Sequence, residues 1–350
     1  MSTGSRIAVP TLVRIKPGAL ERLGLYLARE GWHEPAVFVS AGMDPSILEV
    51  AHRGMDAAGV TAGMQTEVAD ASLESAVAAF TALPADADAV VGLGGGRALD
   101  TAKYVAFLAR KPYVAVPTSL SNDGFASPGA SLTVAGRRRS LPSALPYGVV
   151  VDTEVCRQAP LPLWHSGVGD LVAKITAVHD WKLAFHARGT PVDDLAALLS
   201  DATVHQFTAT PTRDDEGIRL LATALLLNGT AMEICGSSRP ASGSEHLISH
   251  ALDEQEPGAH LHGIQVGVAA YIVSHLQGQG TARIASVLDR TGFWETVRER
   301  PFDRATWLDA VRHAPDVKPG FHTILSEGDQ LPRVAELLDE DPVLSGCFRS

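Results

Sequence analysis

Four histidines fall within one short stretch of this chain, "SEHLISHALDEQEPGAHLHG" (244–263), at His246, His250, His260 and His262. Imidazole is the commonest side-chain metal ligand, so this spacing raises a metal site first. His246 and His250 are four apart; on a helix they share one face, about 6 Å apart along the axis. A zinc protease would need Glu directly after the first histidine, and Leu247 stands there instead. His262 lies sixteen residues past His246, and one straight helix would carry it about 24 Å away. The break "EQEPG" (254–258) removes that difficulty, because it lets the chain reverse and face the next helix start toward His246. His250 would then point into the same cavity. Spacing leaves His260 and His262 as competitors; two apart, they point in different directions.

The third donor comes from "HSGVGDLVAKITAVHDWKL" (165–183), which offers Asp170. It is expected just inside a helix start, after Gly167 and Gly169, where the helix dipole alone would favour an acid. Two neutral imidazoles and one carboxylate suit Zn2+ or Fe2+ and leave positions open for a substrate.

A second chemistry is suggested by "VVGLGGGRALDTAK", which sets Gly92, Gly94, Gly95 and Gly96 between a β-rich run and a helical one. Glycine lets a phosphate approach the backbone, and a helix start offers free N–H groups. The spacing is neither Gly-x-Gly-x-x-Gly nor a P-loop, so a tight strand–helix connection is the competing reading. Asp100 and Lys103, one turn on, read as a surface ion pair. The following loop, "PTSLSNDGFASPGAS" (117–131), carries small hydroxyls and Asp123 at a strand's carboxyl end, where open parallel sheets bind ligands. Asp123 is either an Asx-turn residue or a carboxylate close to substrate.

The elements that must position these residues follow from periodicity. Strands are expected at 36–40, 87–95 and 113–119, with helices at 44–58 and 96–110. After about Asp152 helical periods take over, at 166–187, 190–207, 216–235, 241–253 and 262–277, punctuated by prolines. The expected fold is an α/β Rossmann-like N-terminal domain (1–155) followed by an all-α C-terminal domain (156–350).

The formal net charge of −11 argues against nucleic-acid or membrane-surface binding. Arg137, Arg138 and Arg139 read as a solvated loop. Three widely separated cysteines form no metal clip or disulfide framework. With no apolar leader, and apolar runs too short or too polar to span a bilayer, a cytoplasmic protein acting on a small molecule is expected.

Taken in order, "GGGRALDTAK", "VPTSLSNDGFASPGAS", "GVGDLVAKITAVHDWKLA", "GSSRPASGSEHLISHALD" and "LHGIQVG" closely resemble the sn-glycerol-1-phosphate dehydrogenase family. That family sits within the iron-containing alcohol dehydrogenases, glycerol dehydrogenases and dehydroquinate synthases. The resemblance is strong over roughly residues 90–270 and extends to "FHTILSE" (321–327). It implies reduction of dihydroxyacetone phosphate to sn-glycerol 1-phosphate with NAD or NADP, and a homo-oligomer. It implies Zn2+, or Fe2+ or another divalent ion, on Asp170, His246 and His262, which selects His262 over His260. It places cofactor near Gly94, Gly95, Gly96, Asp100, Thr118, Ser119, Ser121 and Ser127. It places substrate near Asp123, Asp170 and His250. In the mechanism this suggests, Asp123 or His250 would relay the proton, through substrate hydroxyls or water. Arg239, Lys103 and Lys174 are the candidates for the substrate phosphate. Asn122, Gly129 and Ile264 depart from the family pattern, so another small polyol or polyol phosphate is an alternative substrate. A dehydroquinate-synthase-like lyase using NAD transiently is a further alternative. Asp44 would either disfavour a 2′-phosphate or cap a helix.

Overall fold

The computed structural model describes residues 8–349. Its contacts divide the chain into two compact units. The first comprises the residues up to Leu120, Gly124–Ala159 and Arg213–Glu233; the second comprises Ser121–Asp123, Pro160–Thr212 and the residues from Ile234 onward.

The first unit is built on six parallel strands: β1 (Leu12–Lys16), β2 (Ala36–Ser40), β3 (Met64–Val68), β4 (Val90–Gly94), β5 (Tyr113–Pro117) and, after a hairpin, β8 (Gly148–Asp152). Their order is β1-β8-β5-β4-β2-β3. Strands β4, β5 and β8 are buried along their whole length, which is why "VVGLG", "YVAVP" and "GVVVD" read as continuous apolar runs instead of alternating ones. Helices α1 (Leu23–Arg29), α2 (Pro45–Asp56), α3 (Leu73–Ala82) and α4 (Gly96–Ala109) connect the strands. The chain leaves β2 toward β3 and leaves β4 toward β5, in opposite directions. The carboxyl ends of these neighbouring strands therefore form the point where the strand order reverses, the usual ligand position in such a sheet.

The hairpin is β6 (Gly129–Val134) with β7 (Arg137–Pro142), paired antiparallel. Arg137, Arg138 and Arg139 are exposed, but they lie on β7 and not in a loop. Side chains that alternate across a two-stranded ribbon stay solvated while the backbone pairs, and that pairing is absent from a charge-based reading.

The second unit is helical. After α5 (Thr153–Gln158), which belongs to the first unit, it contains α6 (Leu161–Arg188), α7 (Asp194–Ala209), α9 (Ser244–Gln255), α10 (His262–Gln277), α11 (Thr281–Thr291), α12 (Phe293–Glu299), α13 (Arg304–Val317) and α14 (Leu331–Glu340). Two short strands, β9 (Phe302–Asp303) and β10 (Phe348–Arg349), also pair there. Helix α8 (Asp215–Cys235) is grouped with the first unit up to Glu233, so the contact division is not a single cut in sequence. By length and composition α8 is apolar enough to cross a membrane, which corrects the expectation that no run is. Two thirds of its most apolar window is buried, and a Cβ at Gly229 would collide with the Ala126 carbonyl. Its apolarity is that of a core helix.

Candidate active site

The metal-ligand candidates are assembled by a close helix crossing. Helix α6 starts at Leu161, five residues earlier than periodicity suggested, so Asp170 lies well inside the helix and not at its start. The dipole explanation for this acid therefore fails. Gly167 and Gly169 are helical, and Gly169 is there because α10 passes over it: a Cβ at Gly169 would overlap the Gly263 carbonyl, and one at Gly263 would overlap the Ser166 carbonyl. The Gly263 N–H donates to Ser166 Oγ at 3.1 Å. Backbone against backbone is possible only between glycines, and the contact sets His262, the first residue of α10, beside Asp170.

Helix α9 supplies His246. The potential ligand atoms of Asp170, His246 and His262 lie within 4.8 Å of one another. Asp170 and His246 are buried, and His262 is partly so. His260 faces elsewhere, with its ring 4.1 Å from that of Phe302.

Hydrogen bonds at Nδ1 fix how each ring is turned. His246 Nδ1 is 2.9 Å from the buried Glu245 carboxylate, an acceptor, so Nδ1 carries the proton. Its Nε2 is 3.4 Å from Asp170 Oδ1. Ser249 Oγ gives its one proton to Gln265 Oε1 at 2.6 Å, so it can only accept from His262 Nδ1 at 3.0 Å. Each ring is therefore held through Nδ1 and presents Nε2 on its other side, the arrangement found around bound metals. One carboxylate and two imidazole nitrogens fit a divalent ion that prefers nitrogen and oxygen ligands.

Glu245 was not read from sequence as part of this site. Its position next to His246 gave no signal, because adjacent residues on a helix diverge. It also accepts from the Thr176 hydroxyl at 2.8 Å. Asp180, buried close by, has its pKa pushed up to about 6 by burial and by the Glu245 charge.

Asp123 begins a short 3-10 turn, and its N–H donates to Asp170 Oδ2 at 2.9 Å. Its carboxylate pairs with Lys174 at 2.9 Å. Burial and the Asp170 charge raise the Asp123 pKa against the pull of Lys174. Burial would raise that of Asp170 too, but Lys174, His246 and His262 overcome it and hold it below the ordinary carboxylate range. His246 is raised: burial opposes its charge, and Asp170 and Glu245 outweigh burial. His250 is exposed, with its ring 5.9 Å from that of His262 and 6.5 Å from that of His246.

In the first unit the glycine turn sits where β4 meets α4, at the strand-order reversal. Gly94 has φ +135°, a conformation open only to glycine. The Gly95 N–H donates to Ser40 Oγ of β2 at 2.9 Å, and the Thr118 N–H to the Gly94 carbonyl at 3.1 Å. No side chain caps the start of α4. A Cβ at Gly96 would meet nothing within 4 Å. Uncapped N–H groups facing open space suit a pyrophosphate.

Asp100 and Lys103 are a correction. Both are buried, 3.6 Å apart, and not a surface pair. Lys103 donates to the carbonyls of Gly124 (2.5 Å) and Gly129 (2.8 Å), with Ser127 Oγ at 3.5 Å, so it ties the loop carrying Ser127 to α4. Within the other unit, the Ser121 carbonyl accepts from Ser166 Oγ at 2.8 Å. Ser119 is partly buried just after β5. Asp44 caps α2, accepting from the Ser46 N–H at 2.9 Å. Of the phosphate candidates, Lys103 and Lys174 are spent on buried acceptors. Arg239 donates to the His322 carbonyl at 2.6 Å and stacks 3.5 Å over Phe321, with no carboxylate at ion-pair distance among the described residues.

Residues 14–160 match the family model described as iron-containing alcohol dehydrogenase. Among solved structures, a probable glycerol dehydrogenase from Sinorhizobium meliloti shares the fold, with TM-score 0.72 and 18% identity over 97% of both chains. A sulfoacetaldehyde reductase from Bifidobacterium kashiwanohense, solved with NAD+, has TM-score 0.71 and 17% identity over 95% of this chain and 98% of its own. Two sequence relatives are named glycerol-1-phosphate dehydrogenase [NAD(P)+]. That of Cenarchaeum symbiosum is 42% identical over 71% of each chain. That of Aeropyrum pernix is 35% identical over 95% of this chain and 96% of its own. At that identity and coverage, the chain belongs to the glycerol-1-phosphate dehydrogenase family.

Proposed function

We propose that this chain is a metal-dependent, NAD(P)-linked dehydrogenase that reduces dihydroxyacetone phosphate to sn-glycerol 1-phosphate. The observation that carries the reading is the convergence of Asp170, His246 and His262 from three helices, with both imidazoles held through Nδ1. The names of the relatives supply the substrate and cofactor.

When bound, a divalent ion supplies Lewis-acid polarisation of the ketone, and the reduced nicotinamide supplies a hydride to its carbon. Asp170, His246 and His262 would hold the ion. Gly94, Gly95, Gly96 and the uncapped start of α4 would hold the pyrophosphate, with Thr118, Ser119 and Ser127 on the adjoining segment. Ser121 lies in the helical unit, where its carbonyl fixes the approach of Asp123. Asp123, fixed by its own N–H and by Lys174, would orient the substrate hydroxyls. Product formation also needs one proton at the former carbonyl oxygen. His250 is suited to deliver it, because one side of its ring meets water and the other neighbours His262. Arg239 is the remaining candidate partner for the phosphate. We further propose residues 1–155 as the cofactor domain and 156–350 as the metal and substrate domain, a homo-oligomeric assembly, and a reducing cytoplasmic setting that suits three free thiols.

The test is NADH and NADPH absorbance with dihydroxyacetone phosphate and a panel of ketones, in zinc-loaded and chelator-treated protein. Stoichiometric, metal-dependent loss of absorbance with dihydroxyacetone phosphate is expected. Preference for another polyol ketone would move the substrate assignment. Turnover without net cofactor loss would favour a cyclising lyase and refute the dehydrogenase.

A further inference from the structure

Lys174 is a buried cation beside a metal-ligand set, an arrangement that needs a reason. Only 1% of its surface is exposed. Its ammonium has three protons, and it faces three acceptors: Asp123 Oδ2 at 2.9 Å, Asp170 Oδ1 at 3.2 Å and the Ala241 carbonyl at 3.2 Å. No proton remains for a substrate phosphate. Burying an ammonium is costly unless its partners are well placed. A positive charge at this distance from Asp170 also repels any divalent ion held there. For holding metal, Lys174 is a disadvantage.

The compensation lies in what Asp123 would do without it. The Asp123 N–H is bonded to Asp170 Oδ2, so its carboxylate stands next to the ligand set whatever its side-chain rotamer. One more carboxylate beside Asp170, His246 and His262 makes four donors. Four protein ligands give the closed tetrahedral site of a structural zinc, whereas catalytic sites keep a position open. Yet Asp123 stands outside the cluster whose donor atoms lie within 4.8 Å of one another, and its Oδ2 is turned to Lys174.

We infer that Lys174 is a positioning residue that holds the Asp123 carboxylate off the metal, keeping a coordination position free for the substrate oxygen. The inference rests on the metal-dependent reading above. It predicts an effect opposite to that of an ordinary structural residue: removing the lysine tightens metal binding while slowing turnover.

The experiment loads wild type, K174M, D123N and the K174M/D123N double variant with Co2+ or Zn2+. Metal affinity is measured by chelator competition, and coordination by the visible Co2+ spectrum with and without dihydroxyacetone phosphate. K174M is expected to bind metal about tenfold tighter or more. Its Co2+ spectrum should differ from wild type and stop responding to substrate, and kcat should fall at least about tenfold. The double variant should lose the extra affinity, since an amide is a poor replacement ligand. D123N should leave the wild-type Co2+ spectrum unchanged, because Asp123 is not a ligand while Lys174 is present.

Weaker or unchanged metal binding in K174M overturns the inference. If K174M does not fold, D123N decides alone: a changed spectrum there would show Asp123 already on the metal. A wild type that binds no stoichiometric Co2+ defeats the metal-dependent reading itself. A wild type that binds it, with K174M unaltered, defeats only the role given to Lys174.

Discussion

Replacing Gly169 with alanine should separate helix stability from site geometry. In an isolated helix the change is favourable by roughly 1 kcal/mol, because glycine is the poorer helix former. Here the added methyl would overlap the Gly263 carbonyl oxygen and sit 3.0 Å from Phe293 Cε2. The backbones of α6 and α10 would have to part by about 1 Å, at a cost of about 1–3 kcal/mol for overpacking. The steric cost exceeds the propensity gain, so G169A should be less stable than wild type. The larger effect falls on the metal. Asp170 is the next residue on α6, and His262 precedes Gly263 on α10, so the parting separates two of the proposed ligands directly. Ligand distances are satisfied only within about 0.2 Å, well short of such a displacement. Zinc affinity, measured by chelator competition, should fall by at least about 10- to 100-fold, the range seen when merely the supporting groups of a metal site are lost. Thermal unfolding of the metal-free protein, run in parallel, reads the helix cost alone. A G169A protein with wild-type zinc affinity would refute the claim that this crossing sets the ligand positions.

Gly96→Ala tests the dinucleotide assignment without disturbing the fold, since a Cβ there meets nothing within 4 Å. The KM for NADH should rise about tenfold or more with Tm within about 2 °C of wild type; an unchanged KM would move the pyrophosphate elsewhere. His260 should contribute to acid sensitivity. Burial, with Arg300 and Arg349 nearby, pushes its pKa down to about 4. The folded protein therefore favours the neutral ring, and its stability contribution is complete above the ordinary value near 6.5 and lost as pH falls from there toward 4. H260Q should lose less Tm than wild type between pH 7 and pH 4.5, and an equal loss in both would contradict the shift.

The parts of the fold set by periodicity and punctuation were readable in the sequence. Strands at "AVFVS", "VVGLG" and "YVAVP" and the helix starting at His262 stand where apolar pattern, glycine and proline put them. Non-local features were not. "MQTEV" and "LVRIK" become β3 and β1 only because a neighbouring strand pairs with each, and pairing partners leave no local mark. Asp100 and Lys103 look like a solvated pair at i and i+3 until α4 is laid against the 124–131 segment, which buries both. Lys174 was visible as a cation, but its three acceptors come from separate segments of chain. The candidate ligand set was visible by residue type, and the Glu245 contact to His246 was not, because it depends on a side chain folding back onto its neighbour.

The choice between His260 and His262 shows why spacing alone fell short. Both follow the same chain break, and both could be turned toward His246 by a small change in the length of the connection. What decides between them is Gly263. Its carbonyl lies where a side chain at Gly169 would be, and its own missing side chain admits the Ser166 carbonyl. That contact locks the first turn of α10 against α6 in one rotation. The rotation brings His262 to Asp170 and leaves His260, before the helix starts, to stack on Phe302. A residue with no side chain thus selects which imidazole stands beside Asp170. It follows that substitutions at Gly263 should damage the site as severely as substitutions at His262, although Gly263 offers no ligand atom.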